Sequence, residues 1–191
     1  MPHPEFYEAL QRYAHLRRLA YDLTERVAHP TAAARVRLTD IDPHALDAWR
    51  RTWRHSHPLR YGGWDWDGLV GRVRRRPSAF QVAIWSGNAL CGLAVGRVSR
   101  RRPSGRRHTI SVHFLEGSPH ADHPLRGQVA RIALTAADAY GRELGATRLR
   151  LLDPLPGVFR LYEELGFGIA PESRGSLYFE KRIERHGPFS L

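Results

Sequence analysis

The chain has 191 residues, of which 42% are hydrophobic and 26% charged, and its formal net charge is +11. This length is typical of one domain, which buries enough apolar surface to fold without a disulfide or a structural metal. The sequence contains no apolar run long enough for a membrane helix and no secretory signal pattern, and its single cysteine, Cys91, excludes an internal disulfide. We therefore expect a cytoplasmic globular protein with no membrane partner.

Positive charge is concentrated in arginine. Lys181 is the only lysine among the 30 basic residues, and arginines cluster in two blocks, 72–76 and 97–107. Each block is typical of a solvated turn or of a surface that binds phosphates. A net positive surface attracts polyanions over a Debye length of roughly 10 Å. A phosphorylated cofactor, an RNA or an acidic protein would satisfy this charge equally well.

The first predicted element is an amphipathic helix over residues 4–28 that ends at His29-Pro30. Its apolar residues recur every three or four positions and are Phe6, Leu10, Tyr13, Ala20, Leu23 and Val27. Three further apolar residues, Tyr7, Leu19 and Tyr21, lie off this stripe. We expect the helix either to pack on its own domain or to bind a partner, such as a second copy of the chain in a homodimer.

The rest of the chain alternates short strands and helices. A strand at 34–38 precedes a helix that begins at Asp42, the N-cap, with Pro43 at its first position. The predicted elements that follow are a helix at 67–76, strands at 79–85, 89–98 and 108–115, a helix at 127–144, a strand at 148–152, a helix at 157–165 and strands at 167–169 and 177–181.

This order predicts a mixed α/β plan. The long helix lies between two strands, which indicates a parallel crossover. One parallel pair within an otherwise antiparallel sheet splays the sheet open, and the resulting gap can admit an extended ligand.

Two segments stand out for their chemistry. The first, HPLRGQVA at 123–130, places a glycine and an arginine at the start of the long helix, where free N–H groups bind phosphate. The second, VFRLYEELGF at 158–167, is a short amphipathic helix that ends in Gly-Phe. Taken alone, the first is more often a turn and the second is more often core.

Together with the strand order, these segments resemble the GNAT family of acyl-CoA-dependent N-acyltransferases. The resemblance spans about residues 34–182, and LYEELGF at 161–167 is its most specific part. It implies a splayed, largely antiparallel mixed sheet flanked by helices, in the α/β (α+β) class, with an extra N-terminal helix. The expected divisions are that helix at 1–30, the GNAT-like domain at 31–183 and a tail at 184–191.

The resemblance also implies a site for acetyl-CoA as co-substrate. In the family, a Gln/Arg-x-x-Gly-x-Gly/Ala loop holds the CoA diphosphate; here Gly127 matches the first glycine, while Pro124 and Val129 depart from the pattern. The residues expected to bind the cofactor are Arg126, Gly127, Gln128, Val129 and Ala130 at the helix start, and Leu115, Glu116 and Gly117 along the pantetheine arm.

Catalytic roles follow from the same resemblance. It places Tyr162 near the thioester sulfur, where a protonated hydroxyl could return a proton to the departing thiolate. The attacking amine must lose a proton, and Glu116, at the end of the third long strand, is the expected base. His113 and Asp153 are the other candidates.

The same resemblance implies an acceptor pocket between the first strand and the hairpin, which in this chain is an aromatic segment. Trp53, Tyr61, Trp64 and Trp66, with the neighbouring acids Asp65 and Asp67, would suit a cationic amine. The alternative is that the tryptophans anchor a long loop on the core. His55 and His57 have no third ligand at a recognisable spacing, so we predict no metal.

The sequence thus predicts an N-acyltransferase that moves acetyl from acetyl-CoA to a primary amine by direct transfer, with the class of amine left open. The alternative is a catalytically impaired module of the same fold that binds RNA or an acidic protein through its arginines. A transferase acting on an acidic or nucleic-acid substrate would combine the two.

Overall fold

A computed structural model describes residues 4–28, 35–56, 62–99, 109–154, 156–173 and 176–184. The helices are α1 (Pro4–Val27), α2 (Pro43–Thr52), α3 (Trp66–Arg74), α4 (Val129–Glu143) and α5 (Phe159–Glu164), which follows a 3₁₀ turn at Pro156–Val158. The strands are β1 (Val36–Thr39), β2 (Phe80–Ser86), β3 (Ala89–Val98), β4 (Thr109–Gly117), β5 (Arg148–Leu152), β6 (Gly168–Ser173) and β7 (Ser176–Arg182). Within the described ranges, no helix is both long enough and apolar enough to cross a membrane.

The strands form one seven-stranded sheet in the order β1-β2-β3-β4-β5-β7-β6. Among the described strands only the β4–β5 pair is parallel, and α4 makes the crossover between these two strands. The predicted mixed sheet, its parallel crossover and the additional N-terminal helix are all confirmed. The one parallel pair is also where the sheet opens, so the topology positions the candidate site.

Helices cover both faces of the sheet. Alternate residues of β2 supply two separate cores: Val82 and Ile84 pack with α1 and α4, whereas Ala83 and Trp85 pack with α2 and α3. Because both faces are covered, β2 and β3 read as almost continuous apolar runs. The two faces are named below by their helices, the α4 face and the α3 face.

Polar contacts determine how α1 packs. Arg17 is only 4% exposed, and its Nε and Nη2 donate to Asp40 Oδ1 and Oδ2 at 2.8 and 2.7 Å. The Tyr21 hydroxyl also contacts Asp40. These bonds hold Tyr21 in the core. The predicted stripe is right at Ala20, which is buried, and wrong at Leu23 and Val27, which are exposed. The helix itself packs against α4 and β1.

Local signals account for three helix ends. The Asp42 carboxylate accepts a hydrogen bond of 2.8 Å from the N–H of Ala45, as an N-cap should. Gly145 and Gly166 follow α4 and α5 with φ of +66° and +81°, a conformation that glycine adopts at low cost. These turns direct the chain from each helix into the next strand.

Candidate active site

The central feature of the site is a gap between β4 and β5. The two strands pair only from Thr109 to Val112 on β4, whereas β4 continues to Gly117 along β3. The β3–β4 register shifts at the same point, since Val95 pairs with Phe114 and Gly96 pairs with Val112. His113 is therefore the extra residue of a β-bulge, a device that bends a strand and re-aims its side chains.

The gap opens into a cavity of about 810 Å³. Its walls come from the free part of β4, the end of β5, the loop after β4 and α5. Arg126 lies on this wall, as do Trp64 and Tyr162. The sheet is thus open where the parallel pair separates. Side chains from just before α4 and from just before α3 both line this cavity.

The start of α4 offers backbone donors beside this cavity. Gly127 is exposed with φ of +77°. The N–H of Gln128 donates to Leu125 O at 3.0 Å, while in the described part of the chain no backbone carbonyl accepts from Gly127, Val129 or Ala130. Three of the four predicted amide donors therefore face no backbone partner, as is usual at a helix start.

Side chains at the same helix start have different surroundings. Arg126 is exposed on the cavity wall, and its Nη1 donates to the carbonyl of Ala121 at 3.2 Å. Val129, which departs from the family pattern, is buried in the core of the α4 face. Its side chain packs towards Gly92 and Gly117 on the sheet.

Tyr162, on α5, also lines the cavity. It is 8% exposed, and its ring makes edge contacts with Phe167 and Phe179 at 6.3 and 6.0 Å between centroids. Burial raises the pKa of its hydroxyl above the ordinary value of 10.0, so the group is protonated at neutral pH. The geometry gives this side chain a fixed position and a proton to donate.

Glu116 is buried at 5% exposure and fastens the segment before α3 to the sheet. Its Oε2 accepts 2.6 Å from Trp66 Nε1, and its Oε1 accepts 2.7 Å from the N–H of Gly63. The same residue lines the cavity. Its carboxylate thus has a structural role that the sequence did not reveal, because its partners lie 50 and 53 positions away.

The aromatic residues predicted for the acceptor separate into two groups. Trp53 and Trp66 have no exposed surface and belong to the core of the α3 face. Trp64 is 40% exposed, lines the cavity and makes an edge contact with Phe114 at 5.1 Å. Tyr61 lies outside the described residues. Of the described tryptophans predicted for the acceptor, Trp64 alone lines the cavity.

The two remaining base candidates are also on the cavity wall. Burial, followed by the charges of Arg97 and Arg76, lowers the pKa of His113 below 6.5, so its imidazole is neutral at pH 7. Asp153 is exposed in a turn after β5 with φ of +44°. In the part of the chain that the structure describes, no group of three His, Cys, Asp or Glu residues is placed to hold a metal.

Sequence reasoning missed three features: the bulge at His113, the Glu116–Trp66 hydrogen bond, and the position of Arg97 on one small cavity with Arg72, Arg75 and Arg76. Gly96 was a usable signal for the bulge, since a Cβ there would lie 2.5 Å from the carbonyl of Ser111 and glycine within a strand often marks such an irregularity. The other two are contacts between distant segments, which no local pattern indicates.

No protein-family model and no curated protein matches this sequence. Solved structures do match. The ribosomal-protein-S18-alanine N-acetyltransferase of Escherichia coli is 14% identical, with 82% of this chain and 98% of that chain covered and a TM-score of 0.56. An acetyltransferase of the GNAT family from Streptococcus pneumoniae is 14% identical, with 78% and 99% covered and a TM-score of 0.55.

A third similar structure is the yncA protein of Salmonella typhimurium with its cofactor acetyl-CoA, which is 15% identical, with 83% and 99% covered and a TM-score of 0.53. That cofactor agrees with the co-substrate predicted for this chain. Identities this low establish similarity of fold. The fold of this chain is that of the GNAT acetyltransferases.

Proposed function

We propose that the protein is an N-acyltransferase that moves the acetyl group of acetyl-CoA directly to a primary amine. The observation that carries the proposal is the open β4–β5 gap, whose cavity is lined by both Arg126 and Tyr162. A filled gap would leave no path for a thioester arm. Here the strand edge of β4 from His113 to Gly117 has no strand on its β5 side within the described chain.

In this proposal the start of α4 binds the diphosphate. The amides of Gly127, Val129 and Ala130 supply N–H donors, and Arg126 supplies a guanidinium. The departures from the family pattern at Pro124 and Val129 leave this arrangement in place, because the donors belong to the backbone. The backbone of Leu115, Glu116 and Gly117 would pair with the pantetheine arm.

The chemical step is attack by the amine nitrogen on the thioester carbonyl carbon. The C–N bond forms and the C–S bond breaks, so the amide leaves as product and the thiolate takes a proton. We assign that proton to the Tyr162 hydroxyl, which the pKa shift keeps protonated. The amine proton goes to a base on the cavity wall, and Glu116 and His113 are the two candidates.

Trp64 is the proposed aromatic contact for the amine. It is exposed beside the cavity, where its ring could attract a cationic group before the amine loses its proton. The segment that carries it is held by Glu116 through Gly63 and Trp66. Trp53 and Trp66 are left out of the acceptor site because they are fully buried.

Calorimetry with acetyl-CoA tests the proposal directly. We expect a dissociation constant in the micromolar range or tighter, and loss of the signal in Arg126→Glu. Arg18→Glu is the matched control, because it makes the same charge change on an exposed residue of α1. Absence of binding to the unaltered protein, or equal weakening by both variants, would contradict the proposal.

A further inference from the structure

A second cavity lies on the α3 face, and arginines dominate its rim. Its volume is about 220 Å³. Four arginines line it: Arg72 and Arg75 from α3 and its C-cap, Arg76 after them, and Arg97 from β3. Its floor is apolar, with Leu69 and Val95 buried and Phe114 packed against them. We call this cavity the arginine pocket.

These four guanidinium groups lack acidic partners among the described residues. Cations near the C-terminus of a helix interact favourably with its dipole, and this accounts for Arg72 and Arg75. It does not account for Arg97, which comes from a strand and points at the same small space. The four side chains are exposed, so solvent weakens the repulsion among them, but four positive charges around one small cavity still attract an anion.

The pocket is distinct from the proposed diphosphate site. Gly127 precedes α4 and Val129 is its first residue, and α4 packs on the opposite face of the sheet from α3. The two cavities nevertheless share two residues, His113 and Phe114, at the bulge where the sheet opens. A molecule in the arginine pocket would therefore meet the splayed gap at the point where acyl transfer is proposed.

We infer that the arginine pocket binds the anionic group of the acceptor, so that the substrate is a small amine carrying a carboxylate or a phosphate. This inference rests on the proposed function. Paired hydrogen bonds from arginine recognise both anions, and the small volume with its apolar floor favours a short carbon chain over a polymer. The amine of such a molecule would extend past the bulge towards the thioester.

A series of three acceptors tests the inference with the full-length protein. β-Alanine, 2-aminoethyl phosphate and propylamine share a primary amine on a short chain and differ in the terminal group. We expect kcat/KM to be at least about tenfold higher for one or both anionic acceptors than for propylamine, since hydrogen bonds to charged groups contribute about 1.5–3 kcal/mol. The ranking of the first two distinguishes carboxylate from phosphate.

Variants assign the preference to the pocket. Arg76→Gln with Arg97→Gln should reduce the ratio of kcat/KM between the preferred anionic acceptor and propylamine by about tenfold. Arg74→Gln is the matched control, because Arg74 is an exposed arginine of the same helix that does not line the pocket. An unchanged ratio in the double variant would overturn the inference.

A binding measurement separates this inference from the proposed function. The charges of Arg97 and Arg76 lower the pKa of His113, and Asp153 raises it. An anion held between the two arginines should therefore raise the pKa of His113. An NMR pH titration in the presence of CoA, with and without β-alanine or 2-aminoethyl phosphate, measures this pKa. The His113 signal is assigned by comparison with His113→Gln.

The outcomes are distinguishable. Failure to bind acetyl-CoA contradicts the proposed function, whereas acetyl-CoA binding with no anion preference and no shift in the His113 pKa overturns the inference alone. RNA binding is the other outcome that would overturn the inference. If the protein binds RNA in a way that weakens steeply with salt and depends on Arg76 and Arg97, and if it shows no preference among the three acceptors, the pocket is part of a surface that binds polyanions.

Discussion

Gly92 on β3 lies directly against Val129, the first residue of α4: a Cβ built on Gly92 would be 2.4 Å from Val129 Cγ1. The same valine lies 3.8 Å from the position of a Cβ on Gly117. The family pattern has a small residue at the position of Val129. The branched valine fits here because the sheet has glycine at positions 92 and 117. The extra volume of the valine is therefore directed towards the sheet.

Gly92→Ala should destabilise the protein by about 1–3 kcal/mol, the usual cost of overpacking a core. Denaturant unfolding measures this cost. The double variant Gly92→Ala with Val129→Ala should regain part of it, because the alanine at 129 vacates the space that the new methyl group needs. Additive effects of the two substitutions would show that Gly92 and Val129 do not interact.

Tyr162→Phe should lower kcat by about 100-fold, in the range expected for loss of a general acid, and leave acetyl-CoA binding nearly unchanged. The ring contacts with Phe167 and Phe179 persist in the variant, so stability should change little. Steady-state kinetics and calorimetry give the two readouts. Tyr13→Phe on α1 is the control, and equal rates for both variants would exclude the hydroxyl from catalysis.

Glu116→Gln should destabilise the fold by about 1–3 kcal/mol in addition to any effect on rate. Trp66 Nε1 and the N–H of Gly63 both donate to the carboxylate oxygens. A glutamine side chain has one oxygen and one NH₂ group, so one of these two donors would face another donor. A buried donor without an acceptor is costly. Thermal unfolding with Glu163→Gln, an exposed carboxylate of α5, as control measures this. Equal stability of the two variants would contradict the anchoring role.

The pH dependence of kcat/KM distinguishes the two proposed bases. Because the pKa of His113 is lowered, a His113 base is neutral and active at pH 7, and its loss of activity on acidification should begin below the ordinary imidazole pKa of about 6.5. His113→Gln should then remove that ionisation from the profile. If the acid limb persists unchanged in His113→Gln, His113 is not the base and the proton goes to another group on the cavity wall.

Asp40→Asn should partially detach α1 and destabilise the protein by about 2 kcal/mol. This cost is lower than for loss of a partner in a fully buried ion pair, because the Asp40 side chain is partly exposed. Arg17 is itself buried, so the variant leaves its charge without a carboxylate. Asp47→Asn breaks an exposed pair with Arg51 and should cost no more than about 0.5 kcal/mol. Urea unfolding compares the two, and equal costs would contradict the proposed anchoring of α1.

Local patterns in the sequence were sufficient for the elements and for their order. Asp42 and Pro43 indicated the start of α2, and Gly145 and Gly166 indicated the ends of α4 and α5. These signals act between residues a few positions apart, so periodicity and turn chemistry capture them. The same patterns did not predict the buried face of α1 correctly. The bidentate contact between Arg17 and Asp40, 23 positions apart, brings polar residues of the helix into that face.

The sequence by itself determined the class of sheet, the crossover helix and the two arginine blocks, since each depends on neighbouring residues or on a resemblance carried by short motifs. The tertiary structure alone decided that Glu116 holds Trp66, that Val129 rests on Gly92, and that Arg76 and Arg97 line one cavity. These relationships join segments far apart in the chain. They depend on strand register and on which face of the sheet each helix covers, and neither is written in any local run of residues.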